Sequence, residues 1–160
     1  KTIIKSGTIV RSWFWNSTHH LYNGQKLNNI NSYEPRAVDV LTGRCLLHPI
    51  EIFNKIGNYD NKTFRHYGGD DEFSRRVVKL GYSVLLCPKS IVYLREENPY
   101  KNVSIFKFFF HMFFGIRSNQ NIFTKFNLTK KVVPIYARPT YFIIALLKSF
   151  YVTLKVFFKK

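Results

Sequence analysis

Acidic and basic residues are unevenly distributed along this 160-residue chain, and the unevenness divides it near residue 100. All nine Asp and Glu lie in residues 1–100, together with fourteen Lys and Arg. Residues 101–160 hold eleven Lys and Arg, no acid, and twelve of the sixteen phenylalanines. The net charge of +16 therefore divides into +5 and +11. A segment that is both strongly basic and strongly aromatic suggests a membrane surface, where Lys and Arg meet anionic headgroups and apolar side chains enter the acyl boundary. Two organisational regions are expected, residues 1–100 and residues 101–160.

Within the second region, residues 104–116 and 139–158 read as apolar helices. The longer one approaches the roughly 20 residues that cross a bilayer. Lys148 near its centre and Lys155 near its end favour an in-plane amphipathic helix with snorkelling lysines over a span. The expected location is peripheral, on the cytoplasmic face of a membrane.

Within the first region, His66-Tyr67-Gly68-Gly69-Asp70-Asp71-Glu72-Phe73-Ser74-Arg75-Arg76 carries most of the chemistry. Phe73, Val77 and Leu80 recur at helical spacing, Arg75, Arg76 and Lys79 lie off that stripe, and Gly81 sits where a helix-terminating glycine belongs. Three carboxylates thus stand at a helix N-terminus. Capping and the helix dipole account for acids there, and Glu72 has Arg76 in reach at i+4. They do not account for two adjacent glycines, which suit a sharp turn or the close approach of a ligand.

Gly57-x-Tyr59-Asp60, then Phe64-x-x-Tyr67-Gly68-Gly69-Asp70-Asp71-Glu72-Phe73-x-x-Arg76, then Gly81-Tyr82 and Pro88, resembles the second half of a family 2 glycosyltransferase of the GT-A fold. The Gly-Gly-Asp-Asp-Glu form is similar to the C-terminal module of galactosyltransferase-like enzymes. Upstream, Val38 to Leu47 is similar to the family's strand and loop before a helix starting near Pro49. Phe114-Gly115-Ile116-Arg117-Ser118-Asn119 is similar to an Arg-Asn signature of rhamnosyltransferase-like members, with Ser118 as an extra residue. The resemblance covers roughly residues 36–94. It implies an α/β fold: a partial GT-A, Rossmann-like nucleotide-diphospho-sugar transferase core followed by basic, aromatic-rich helices. On this reading residues 1–100 are the C-terminal, acceptor-side half of the catalytic domain, and the N-terminal half is missing.

The activity implied is inverting hexosyl transfer from a nucleotide-sugar donor to a glycan or lipid-linked acceptor in the cell envelope. Such a reaction needs a base within reach of the acceptor hydroxyl and a means of stabilising the departing diphosphate. By matched position Asp70 is the base, with Asp71 the nearest competitor and Glu72 an orienting partner. Gly43, Arg44, Gly68, Gly69, Arg76 and Trp13 are the expected substrate-binding residues, arginine being suited to diphosphate. The resemblance implies Mg²⁺ or Mn²⁺ through an Asp-x-Asp motif, which this sequence lacks, and the histidine that often follows the strand after Pro88 is replaced here by Leu94. No metal ligand is assigned within the chain.

The rest of the sequence is less specific. Thr2–Ile4 and Gly7–Trp13 read as strands, and residues 16–35, rich in Asn, Ser and Gly, as a loop. Trp13, Trp15, His19 and His20 are candidates to meet a sugar, beside their ordinary roles as core and surface residues. Cys45 and Cys87 fit reduced thiols better than a disulfide framework. A second function class is a non-catalytic basic module binding membrane or nucleic acid. Nucleic acid is the less expected partner, because the aromatics form runs such as Phe108-Phe109-Phe110 with no recognised binding fingerprint.

Overall fold

A computed structural model describes residues 1–30, 32–43, 45–93 and 104–158. Among them the chain is mixed α/β, with five α-helices and two small antiparallel two-stranded sheets. No GT-A core is shown among the described residues. The chain forms two compact units: residues 1–12, 17–59 and 70–93 make the first, and residues 13–16, 60–69 and 104–158 the second. Residues 13–16 and 60–69 cluster with the C-terminal helices and not with their neighbours in sequence.

In the first unit, β1 (Thr8–Ser12) pairs with β2 (Ser17–His20) in the register Thr8 to His20, with an irregularity between Val10 and Ser12. The second strand lies inside the stretch expected to be loop. Asn16, with φ of 44°, makes the intervening reversal possible, since Asn tolerates the left-handed region better than most residues. Thr2 forms only an isolated bridge to Lys26 instead of a strand. β3 (Arg36–Val38) pairs with β4 (Val84–Leu86), which precedes Pro88.

Helix α1 (Ile50–Ile56) starts directly after Pro49 and stops at Gly57, whose φ of 73° favours glycine. Helix α2 (Gly69–Lys79) carries Asp70, Asp71 and Glu72 in its first turn. It ends one residue before Leu80, which is left exposed in the turn that Gly81 (φ 82°) completes. Ile52 of α1 packs with Phe73 and Val77 of α2 as the buried core, with Phe53, Ile56, Tyr59, Tyr82 and Val84 around it. Tyr59 stacks on Phe73 with ring centroids 4.2 Å apart.

The second unit is built on α3 (Ile105–Phe114), α4 (Ile122–Val132) and α5 (Arg138–Phe158). Ring contacts join them: Phe108 and Phe109 with Phe157, Phe113 with Phe150, Phe114 with Phe123, and Phe126 with Phe142. Ala145, Ser149 and Thr153, spaced four apart, form the buried face of α5. The turn between α3 and α4 contains the Arg117-Ser118-Asn119 segment. Ser118 there donates its hydroxyl to the Met112 carbonyl at 2.5 Å, and Asn121 caps α4 by accepting from the Thr124 N–H at 3.0 Å.

Candidate functional site

Asp70 is half-buried in the first turn of α2. One of its carboxylate oxygens accepts the Gly43 backbone N–H at 2.8 Å, and the other accepts the Asp71 N–H at 3.1 Å. A Cβ on Gly43 would sit 3.4 Å from Asp70 Oδ2, so the 41–43 loop and the carboxylate are in contact. Two residues singled out from sequence, 27 positions apart, are thus brought together.

Glu72 makes a different contact. It is buried, and its Oε1 lies 2.8 Å from Arg76 Nε, the i+4 pair that the spacing offers. Its Oε2 has no hydrogen-bond partner among the described residues. The Arg76 guanidinium also donates to the carbonyls of Ile56 and of Asn58, the latter at 2.8 Å, and lies over the Phe73 ring. Arg76 therefore clamps the end of α1 onto α2 through both terminal nitrogens. Arg75, expected to face away from the core, is buried instead and pairs with Asp39 at 3.1 Å. Asp39 accepts the Val10 N–H at 2.6 Å with its second oxygen, so one carboxylate ties β1 to α2.

His48 was not foreseen as part of this neighbourhood. Its Nε2 is 2.8 Å from the Tyr59 hydroxyl, and its ring meets Phe73 edge-on at 5.0 Å. Burial pushes its pKa down, which favours the neutral imidazole. Burial raises the Tyr59 phenol, the charge of Asp70 adds to that rise, and Arg76 opposes it. A histidine directly before the helix-starting Pro49 is the only trace of this arrangement in the sequence. An apolar cavity of about 260 Å³ opens beside His48, lined by Leu41, Leu46, Ile52, Val77 and Tyr82 among others, and Asp70 is not on its wall.

The remaining candidates fall elsewhere. Gly69 opens α2, whereas Gly68 has φ of 88° and a Cβ there would meet the Phe64 ring at 3.0 Å. The first glycine of the pair thus has a local cause. Trp13 belongs to the second unit, where its ring lies 6.0 Å from that of Tyr141. Asp60, from the Tyr59-Asp60 pair of the sequence motif, also belongs there. A hydrogen bond from Lys131, with the Thr63 N–H, holds its carboxyl well below the usual range. His20 accepts or donates with Thr8 at 2.9 Å, and Cys45 and Cys87 are free and exposed. Arg44 lies outside the described residues.

Among the described residues no three His, Cys, Asp or Glu side chains are arranged to hold a metal ion. Comparison with protein-family models, curated proteins and solved structures finds no match to this chain.

Proposed function

We propose that the first unit carries the acceptor-side base of an inverting hexosyltransferase, with Asp70 as that base. The observation that carries this reading is the fixed, half-buried Asp70 carboxylate between the Gly43 N–H and the start of α2. A carboxylate offers about four acceptor sites, and two N–H donors leave room for a hydroxyl. A base held in one orientation before the acceptor arrives avoids the entropic cost of positioning it during reaction.

In the step proposed, the acceptor hydroxyl oxygen bonds to the anomeric carbon of the donor as the bond from that carbon to the diphosphate oxygen breaks. The hydroxyl proton passes to Asp70, and the nucleoside diphosphate leaves with the electron pair, inverting the configuration. Asp71 is the alternative base. Glu72 and Arg76 hold the helix start and the α1–α2 turn in place, so their contribution is to position Asp70.

The test is transfer from a panel of UDP-, GDP- and dTDP-sugars to a lipid acceptor extract, measured on the natural full-length protein. Asp70→Asn keeps an oxygen for the Gly43 N–H but cannot take the proton, and is expected to lower kcat by about 10²–10⁴-fold. Asp71→Asn is expected to cost far less. Unchanged turnover in Asp70→Asn removes it from the base role, and a wild-type protein silent across the panel removes the transferase reading.

A further inference from the structure

The second unit exposes more apolar surface than a helical unit in water ordinarily does. Phe106 is 86% exposed, Phe110 64%, Phe123 63%, Ile135 77% and Leu147 64%. On α5, Ile143, Leu147, Phe150, Tyr151 and Phe158 fall on one stripe, opposite the buried Ala145, Ser149 and Thr153. Residues 135–158 are long and apolar enough to cross a bilayer, with a mean hydropathy of 1.7 over an 18-residue window. Against a crossing, one face of α5 is packed against α3 and α4, and Lys148 at mid-helix donates to the Asn16 carbonyl within the unit.

Between α4 and α5 lies a groove of about 300 Å³ lined by Phe126, Thr129, Lys130, Arg138, Pro139 and Phe142. Its rings meet edge-on at 5.7 Å. Its only charged side chains are two cations. Arg138 donates through Nε to the Val133 carbonyl at 3.0 Å, which fixes its guanidinium, and its terminal nitrogens make no hydrogen bond among the described residues. A guanidinium, an ammonium and two aromatic rings lining one groove match a phosphodiester attached to a hydrocarbon chain. The absence of any acid from residues 101–160 means nothing on this stretch of sequence repels such an anion.

We propose that α3–α5 lie in the interfacial layer of an anionic membrane and that the α4–α5 groove takes the headgroup phosphate of one anionic phospholipid. Lys130 and Arg138 meet the phosphate, Phe126 and Phe142 contact the upper acyl chain, and the exposed Phe and Ile side chains enter the layer around it. This assignment is independent of the role given to Asp70.

The test is flotation of the full chain with phosphatidylcholine vesicles, with and without phosphatidylserine, at low and high salt. Binding is expected only where the anionic lipid is present and is expected to weaken with salt. Lys130→Gln with Arg138→Gln is expected to weaken it by about tenfold or more. A control pair removing equal charge from the first unit, Lys79→Gln with Lys89→Gln, is expected to change it less than about threefold. Lys130→Arg with Arg138→Lys keeps the charge and should retain most binding, which separates loss of the site from loss of fold. Inorganic phosphate at millimolar concentration is expected not to compete. Equal losses in the groove and control pairs overturn the groove, as does displacement by inorganic phosphate. Equal binding to neutral vesicles, or dimerisation without vesicle binding, overturns the anionic-lipid surface itself.

Discussion

In the first unit, α2 is held by polar side chains that reach 18 to 36 residues along the chain: Arg76 to Asn58 and Ile56, Asp70 to Gly43, and Arg75 to Asp39. The apolar core beneath it is small, with Phe73 its largest fully buried side chain. In the second unit the helices meet chiefly through rings, with Phe108 fully buried and other phenylalanines left outside. Directional bonds fix where a particular carboxylate stands, whereas ring packing gathers helices without fixing a polar group. The unit with the polar ties is the one that holds the Asp70 carboxylate in one orientation, the basis for proposing it as a base, and the unit with surplus apolar surface is the one proposed to meet lipid.

Two phenylalanines put the largest effect on this contrast. Phe73→Ala removes a ring that is 1% exposed and stacked on Tyr59, and is expected to cost about 3–5 kcal/mol in chemical unfolding. Phe106→Ala, at 86% exposure, is expected to stay within about 0.5 kcal/mol while reducing flotation with anionic vesicles. A large stability loss from Phe106→Ala would mean the exposed rings support the fold and would erase the distinction between the units. A smaller effect sharpens the claim for polar ties. Arg76→Met strands the buried Glu72 and the Ile56 and Asn58 carbonyls, and is expected to cost about 1–3 kcal/mol. Adding Glu72→Met should recover part of that loss in a double-mutant cycle, and purely additive effects would show that the pair is not coupled.

Local signals in the sequence account for much of this architecture. Pro49 and Gly57 bracket α1, the acids and Gly81 bracket α2, and the apolar runs give α3 and α5 nearly to the residue. Helix α4 was not legible, because Ile122, Phe123, Phe126, Leu128 and Val132 scatter around the helix instead of forming one stripe; its start depends on the Asn121 cap. β2 was hidden in a polar stretch, since its side chains are mostly exposed and its pairing is decided by β1. At the candidate site, the Glu72–Arg76 pair follows from i+4 spacing, but the Gly43–Asp70 and Asp39–Arg75 ties do not. They join residues 27 and 36 positions apart, and nothing local in the sequence encodes such pairings.

The smallest effect concerns protons, and it again separates the units. Burial lowers the pKa of His48, and burial with the charges of Lys5 and His19 lowers that of His20; both belong to the first unit. A histidine whose folded pKa is depressed binds fewer protons folded than unfolded in the window below the ordinary value of about 6.5. Stability therefore falls as pH drops through that window, and the loss is complete once pH lies below the folded pKa. Acidification from pH 7 to about pH 5.5 crosses that window. His48→Phe keeps a ring against Phe73 and Tyr59 but removes the titration, and is expected to make the pH dependence of the unfolding midpoint shallower over that range. An unchanged slope in His48→Phe together with His20→Phe would show that the fold lowers neither pKa, and that burial in the first unit weighs less on these rings than its geometry indicates.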